Sequence, residues 1–177
     1  MSRVLHEAEI AALLTERKPL PANWRARLSV KAKANQTFRQ REFDAKGDGG
    51  HEFRIILRRN ELNLLDFSLV LKLVDADGVD YILVRFNGRH PSQHTNKWEK
   101  LKKLPNAAFR NRFHIHRATE RYQVDGFEID GYAEPTDNYD SFESALEAFV
   151  AYVTLVLPAG GDSAGPTLWE GQEEGKP

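Results

Sequence analysis

The chain has 177 residues, of which 41% are apolar and 29% charged, and its formal net charge is −1. This composition is ordinary for a globular protein, and the length is enough to bury a hydrophobic core. The absence of cysteine excludes disulfide bonds, thiolate zinc sites and a cysteine nucleophile. No apolar run approaches the roughly 20 residues that a membrane-spanning helix requires.

Alternation of apolar and polar residues predicts a β-meander in the central part of the chain. Residues 51–59, 64–74 and 79–86 alternate with a period of two, which is typical of strands with one buried face. A turn-forming segment at 47–50 precedes the first of them, and another at 75–78 separates the last two. Before them, residues 4–16 are predicted to form a short helix that ends ahead of Pro19, and residues 22–46 an extended arm with one strand.

The second half of the chain is predicted to mix helices and strands. Residues 91–104 can form one basic helix, 105–112 a loop, and 113–116 and 127–135 two further strands. Residues 140–155 have the clearest helical pattern, and Asp140 with Glu143 can form a capping box at its start.

These elements predict an α+β fold in which an antiparallel β-sheet carries a C-terminal amphipathic helix on one face, preceded by a short N-terminal helix. We expect one domain over residues 1–157. Residues 158–177 are rich in Gly, Pro and acids and are expected to form a disordered tail.

Charge is distributed unevenly along the chain. Residues 1–121 contain 24 lysines and arginines against 14 acids, whereas residues 122–177 contain one lysine against 12 acids. The steepest part is 85–121, which holds ten basic residues and only Glu99 and Glu120 as acids. Such a patch suits an anionic partner such as nucleic acid or an acidic protein. A second interpretation is that the basic and acidic parts simply face each other in the fold.

Four of the six histidines, His90, His94, His114 and His116, lie in this basic segment. Imidazole can move protons near neutral pH or bind a transition metal. In a strand over 113–116, the side chains of His114 and His116 project to the same face. We expect both imidazoles to point into a solvent-accessible hollow lined by cations.

One chemistry that fits these residue types is RNA cleavage through the 2′-hydroxyl. It needs a base, an acid and a cation beside the phosphorane that forms. The candidate catalytic residues are His114 and His116 as base and acid, Arg117 and Arg121 as phosphate ligands, and Tyr122. The candidate substrate-binding residues are His90, His94, Lys102, Lys103 and Arg112.

A metal site is the alternative use of the same imidazoles. The spacing His-x-His occurs in zinc sites, and His90 and His94 could complete a four-histidine set for a divalent metal. The motif HExxH is absent, and nothing in the sequence specifies a coordination geometry. The cleavage hypothesis needs no cofactor.

The run FHIHRATERY at 113–122, followed by GYAEPTD at 131–137 and a closing helix, resembles a family of small uncharacterised bacterial and phage-associated proteins over roughly residues 50–150. More distantly, the order of hairpin, Arg-Phe-Asn-Gly, histidine cluster and amphipathic helix resembles the TumE-type toxins of bacterial toxin–antitoxin modules. The corresponding positions are Phe86, Asn87, His90, His94, His114 and His116. This chain is longer and inserts the basic segment 95–112. The resemblance implies a toxin-like role, RNA as the target and a protein antitoxin as partner.

Three functions therefore stay open. The first is a cytoplasmic toxin-like protein of a toxin–antitoxin or phage-defence module, a ribonuclease that cleaves RNA with histidines and without metal. The second is a non-catalytic module that binds nucleic acid or protein through the basic 85–121 patch. The third is a histidine-ligated, metal-dependent hydrolase. The sequence leaves open whether the protein is an enzyme and whether it forms a homodimer, and it predicts no membrane partner.

Overall fold

A computed structural model describes residues 3–24, 37–76 and 78–159 in full and residues 29–31 for their backbone. From residue 160 onward, the predicted disordered tail lies outside the described residues, as do parts of the predicted extended arm over 22–46. The helices are α1 (Glu7–Thr15), α2 (Lys97–Leu101), α3 (Glu120–Val124) and α4 (Phe142–Tyr152). The strands are β1 (Lys18–Pro19), β2 (Ser29–Lys31), β3 (Phe38–Lys46), β4 (Glu52–Asn60), β5 (Phe67–Val74), β6 (Asp80–Asn87), β7 (Gln93–Thr95), β8 (Ala108–Arg110), β9 (His114–Arg117), β10 (Tyr132–Pro135) and β11 (Leu155–Val156).

A seven-stranded sheet in the order β10-β9-β6-β5-β4-β3-β2 forms the centre of the fold, and all its neighbouring strands are antiparallel. Its middle strands β4, β5 and β6 are the three segments that the period of two predicts. The α+β prediction, with an antiparallel sheet, a short N-terminal helix and a C-terminal helix, is confirmed. No helix among the described residues is both long and apolar enough to cross a membrane.

One face of the sheet forms the hydrophobic core with α1 and α4. Phe53, Ile55 and Leu57 of β4 are fully buried on this face, because alternate residues of a strand project to the same side. Phe149 of α4 packs edge-on against Phe86 of β6, with 5.5 Å between the ring centroids. Arg54, Ile56 and Arg58, which alternate with these buried residues in β4, project to the opposite face.

The start of α4 differs by one residue from the prediction. Ser141, not Asp140, is the N-cap: its hydroxyl accepts from the backbone N–H of Ser144 at 3.1 Å, and the Ser144 hydroxyl accepts from the backbone N–H of Ser141 at 3.1 Å. Glu143 is therefore in the first turn and is not the partner in the capping box. The reciprocal pair satisfies two backbone donors that the helix start would otherwise leave open.

Two predicted elements are wrong in extent. Only Lys97–Leu101 of the predicted helix over 91–104 is helical, since residues 93–95 form β7 and pair with β8 in the predicted loop. Only Tyr132–Pro135 of the predicted strand over 127–135 is a strand, because the chain leaves α3 through a turn in which Gly126 has a φ of 77°. The first error arises because pairing between β7 and β8 overrides local propensity, and the second because a turn shortens the strand.

Lys18 is a buried cation that joins the C-terminal ends of α1 and α4. Its side chain is fully buried, and its Nζ donates to the carbonyls of Leu13 (2.8 Å), Leu14 (3.2 Å) and Glu16 (2.7 Å) at the end of α1 and of Val153 (2.9 Å) after α4. Burial lowers the pKa of Lys18 to about 8. The four carbonyl acceptors favour the ammonium form, which supplies the donors that two helix ends lack.

Replacing this cation should destabilise the fold. In Lys18→Met the four carbonyls lose their donor, and the hydrogen bonds to Leu13 and Val153 are buried, so that each of these two acceptors costs about 1–3 kcal/mol when it is left unsatisfied. We expect the free energy of unfolding, measured by urea titration, to fall by about 3 kcal/mol. Lys46→Met is the matched control, because Lys46 has a 68% exposed side chain. Equal urea midpoints for the two variants would contradict this role of Lys18.

Candidate nucleic-acid interface

Between β6 and β9 the chain leaves the sheet and forms a small lobe, which we call the basic arm (residues 89–112). Within it, β7 and β8 pair through His94 opposite Phe109, and α2 lies between them. The arm covers the part of the open sheet face that β9 and β10 form, opposite to α4. His114 and His116 project from that face, since Ile115 between them is buried in the core.

The structure brings all four predicted histidines together. The ring centroids of His114 and His116 are 5.1 Å apart, and His94 lies 5.8 Å from the first and 4.7 Å from the second. His90 contacts His114 at 5.4 Å, and Phe109 covers His94 and His114 at 5.0 and 5.2 Å. The prediction that His114 and His116 share a face is correct.

The two strand histidines are sealed beneath the arm instead of opening into a hollow. Only 1% of His114 and 5% of His116 is exposed. Nδ1 of His114 donates to the carbonyl of Arg112 (2.8 Å), and its Nε2 can then accept from the side-chain amide of Asn87 (3.2 Å). Nδ1 of His116 lies 2.9 Å from the carbonyl of Asp130 and is thereby assigned as a donor. The prediction that both imidazoles point into a solvent-accessible hollow is therefore wrong.

Burial fixes the charge state of three of these histidines. Desolvation lowers the pKa of His114 to about 4 and, together with the nearby cation of Arg85, that of His116 to about 2. Desolvation also lowers the pKa of His94, in spite of its hydrogen bond to Asn96. These three imidazoles are neutral at pH 7. A neutral, buried imidazole is poorly placed to act as a general acid toward a substrate in solvent.

Asn96, which the sequence did not single out, fastens the arm to the sheet. It is fully buried, and its side-chain amide pairs with the edge strand β10 like a strand backbone: Nδ2 donates to the carbonyl of Ala133 (2.9 Å), and Oδ1 accepts from the N–H of Ala133 (2.8 Å). Nδ2 also donates to the carbonyl of Asn106 (2.8 Å), and Nε2 of His94 donates to Oδ1 (2.9 Å). Every donor and acceptor position of the amide is thus used.

The arrangement offers little to a metal ion. Among the described residues, no group of three or more His, Asp or Glu side chains is arranged to hold one. The reason is visible in the cluster, where both nitrogens of His114, Nδ1 of His116 and Nε2 of His94 already have protein partners. The metal hypothesis, which needs their lone pairs, has no geometric support in this part of the chain.

The other three predicted catalytic residues lie away from the histidines. Arg117 projects to the opposite face of β9, where it lies 3.8 Å from the carboxylate of Glu134. Arg121 and Tyr122 belong to a clamp between α3 and α2, in which both donate to the carboxylate of Glu99 at 2.7 and 2.5 Å.

The clamp is a buried ionic contact that shifts the pKa values of Glu99 and Tyr122. Burial would raise the pKa of Glu99, but the hydrogen bonds from Tyr122 and Arg121 outweigh it and lower that pKa. Burial and the same carboxylate raise the pKa of Tyr122. The Arg121 guanidinium lies 4.5 Å from the ring centroid of Tyr132. This set of contacts holds α2 against the domain.

The outer surface of the arm is cationic. Its basic residues all have exposed side chains: Arg89, Lys97, Lys100, Lys102, Lys103, Arg110 and Arg112. Lys102 lies 3.8 Å from Asp125, and Arg112 lies 3.0 Å from Asp137. For the other five, no carboxylate of a described residue lies within 4.0 Å. Of the predicted substrate-binding residues, Lys102, Lys103 and Arg112 are thus at the surface, whereas His90 and His94 are partly buried.

Lys103 occupies a backbone position that favours glycine. Its φ is 57°, and it follows α2 in a Schellman arrangement, in which its N–H donates to the carbonyl of Lys100 (3.2 Å) and the N–H of Leu104 to that of Glu99 (2.8 Å). A side chain at such a position costs up to about 1 kcal/mol relative to glycine. Its exposed lysine side chain therefore sits at a backbone position that does not favour it.

Comparisons with protein-family models, curated proteins and solved structures found no match for this chain.

The neutral histidines should make the fold sensitive to acid. The pKa of His116 is about 2 in the folded state and about 6.5 in the unfolded chain, so the unfolded chain binds more protons in this range and stability falls as the pH drops below 6.5. His116→Asn keeps a donor for the Asp130 carbonyl but cannot titrate. We expect the slope of unfolding free energy against pH near pH 5 to be smaller in this variant by about 1.4 kcal/mol per pH unit.

The control for this measurement is Gln40→Asn, a neutral exchange on the same face of the sheet, which should keep the wild-type slope. Comparing slopes removes any constant loss of stability caused by the substitution. If the wild type and His116→Asn have the same slope, His116 is not buried in the neutral form.

Proposed function

We propose that this protein binds RNA through the phosphate backbone, using the surface of the basic arm. The observation that carries the proposal is the set of seven exposed cations in 24 residues, five of them without a carboxylate nearby among the described residues. Lysine and arginine contacts to phosphate give binding that depends strongly on salt and little on sequence. The resemblance to TumE-type toxins supports RNA as the target.

The buried cluster supports this role as a foundation for the arm. Ring contacts of the neutral imidazoles and the hydrogen bonds of Asn96 hold the arm on the sheet without adding positive charge to it. A rigid backbone under a cationic surface limits the conformational entropy that binding must remove.

Binding without cleavage is the form of the proposal that the geometry favours. Cleavage through the 2′-hydroxyl needs an acid and a base that reach the substrate, whereas His114 and His116 are buried and Arg117 projects from the other face of β9. The ribonuclease hypothesis is kept as an outcome of the experiment below. RNA capture alone would suffice for the toxin-like role in the cytoplasm, because bound messenger RNA is withheld from translation, and a protein antitoxin would then act by covering the arm.

The proposal predicts a specific loss of RNA binding on removal of three lysines. Lys97→Gln, Lys100→Gln and Lys103→Gln are combined, and binding of a fluorescein-labelled single-stranded RNA is followed by anisotropy between ~50 and ~200 mM salt. Each lost phosphate contact on a single strand reduces the slope of log K against log salt by about 0.7, so we expect the slope to fall by about 2 and the affinity at low salt by at least about tenfold.

The matched control combines Arg17→Gln, Arg39→Gln and Lys46→Gln, which removes the same charge from cations outside the arm that lie near carboxylates. It should keep the wild-type slope. Equal losses in both variants would mean that only net charge matters and would overturn the arm as the interface. Appearance of RNA fragments, lost in His114→Asn, would favour the ribonuclease hypothesis, and binding of acidic protein but not RNA would favour the protein-binding one.

A second prediction separates stability from binding at Lys103. Lys103→Gly should raise the free energy of unfolding by up to about 1 kcal/mol, since glycine suits a positive φ, while weakening RNA binding. Thr154→Gly is the control, because Thr154 also has a positive φ (53°) but lies between α4 and β11, away from the arm. It should gain stability and leave RNA binding unchanged. Unaltered RNA affinity in Lys103→Gly would remove Lys103 from the interface.

A further inference from the structure

The basic arm carries apolar side chains that a phosphate backbone does not need. Leu101 is 64% exposed, Leu104 44% and Val124 of the neighbouring α3 65%. Leu101 and Leu104 belong to α2 and the turn that follows it, and Val124 directly precedes Asp125, whose carboxylate accepts from Nε1 of Trp98 in α2 at 2.7 Å. We call these three residues the apolar patch.

Four lysines lie on the same short helix and C-terminal turn as Leu101 and Leu104. Lys97, Lys100, Lys102 and Lys103 alternate along the chain with Trp98, Leu101 and Leu104, and all four lysines are exposed. A surface of this composition suits a partner with both acidic and large apolar side chains.

The chain itself contains a segment with that composition. Residues 160–177 lie outside the described residues and contain four acids against one lysine. Leu168 and Trp169 stand directly before Glu170, and Glu173 and Glu174 follow. Its charge and its two large apolar residues complement the lysines and the apolar patch.

We propose that the C-terminal segment 160–177 docks on the apolar patch and its lysines and competes there with RNA. Leu168 and Trp169 contact the apolar patch, and the glutamates pair with the lysines. The competition with RNA rests on the proposed function, whereas the docking does not. An intramolecular ligand acts at a high effective concentration, so even weak contacts reduce the apparent affinity for RNA.

The contacts of α1 show that the docking is within reach. Lys18 ties the end of α1 to Val153, which follows α4, and Leu5 before α1 bonds to Gln123 of α3 (2.8 Å). The nine residues of α1 span about 14 Å at ~1.5 Å per residue. The 18 residues after Ala159 can extend up to about 60 Å at ~3.4 Å per residue.

The absence of cysteine allows a direct test of the docking in the full chain. Leu101→Cys and Gly171→Cys are introduced together, and disulfide formation under mild oxidation is followed by mass spectrometry and gel mobility. The control pair is Leu62→Cys with Gly171→Cys, because Leu62 is also an exposed leucine (82%) but lies between β4 and β5. We expect an intramolecular disulfide that forms at least about tenfold faster in the first pair than in the control.

Two results would overturn the docking. Equal rates in the two pairs would mean that the segment has no preferred site. Disulfide-linked dimers without an intramolecular product would mean that a second copy occupies the patch.

The competition with RNA has its own measurement. Glu170→Gln, Glu173→Gln and Glu174→Gln together should raise RNA affinity at low salt by about fivefold to tenfold. Glu128→Gln, Glu143→Gln and Glu147→Gln change the net charge equally at exposed positions of the described domain and should raise it less. An equal rise in both triple variants, or none in the first, would overturn the competition.

Failure of the two proposals can be told apart. If neither the wild-type protein nor any variant binds RNA, the proposed function fails, but the disulfide rates still decide whether the segment docks. If RNA binding depends on the arm lysines but the disulfide rates are equal, only the docking fails.

Discussion

The pairing of the Asn96 side chain with Ala133 is the contact on which the position of the basic arm depends. Edge strands expose unpaired N–H and C=O groups, and here one amide side chain satisfies both groups of Ala133. The same amide accepts from His94 and donates to the carbonyl of Asn106, so it ties β7, the turn before β8 and the sheet edge into one unit. A buried amide with all positions used fixes geometry, since any displacement leaves several polar groups unpaired.

The position of the arm buries three imidazoles and keeps them neutral, so that they add no charge to its cationic surface. The imidazoles of His114 and His116 on the sheet and of His94 in the arm pack together where the arm meets the sheet, and the arm carries seven exposed cations. Arg85 lies 3.3 Å from Nδ1 of His116. Imidazolium ions at these sites would add repulsion where water cannot screen it. The carboxylate of Asp130, 2.9 Å from Arg85, lies next to the cluster. Burial keeps the charge on the outside of the arm and the aromatic packing on the inside.

The sequence predicted the elements whose pattern is local and missed those that depend on distant pairing. Strict alternation identified β4, β5 and β6, and helical spacing identified α4. Residues 93–95 and 108–110, by contrast, are strands only because they pair with each other across α2. Local propensity cannot reveal such a pair, because the same residues can form either the predicted helix over 91–104 or the shorter α2.

The candidate site was also predicted only in part, because alternation along a strand is a local pattern whereas burial depends on distant segments. Alternation placed His114 and His116 together, and the same rule places Arg117, the next residue, on the opposite face, which the catalytic hypothesis overlooked. Burial of the histidines could not be foreseen, because it depends on where residues 89–112 fold back. Gly88 of the Arg-Phe-Asn-Gly run has a packing role: a Cβ there would lie 1.9 Å from the carbonyl oxygen of Leu65. Part of the resemblance on which function was inferred therefore reflects packing.

The uneven distribution of charge resolves into two parts once the pairs are assigned. Arg85, Lys102, Arg112 and Arg117 of the basic segment lie within 4.0 Å of acids from the second half of the chain, and Arg121 is paired with Glu99. For the first four of these residues the interpretation that the basic and acidic parts of the chain face each other holds, whereas Glu99 belongs to the basic segment itself. The remaining cations are on the arm, and among the described residues none has a carboxylate within that distance: Arg89, Lys97, Lys100, Lys103 and Arg110. Charge that the fold leaves uncompensated attracts an anionic partner at the Debye-length range, about 8 Å at physiological salt, which is why the arm, and not the whole basic segment, is the surface to which the proposed RNA binding is assigned.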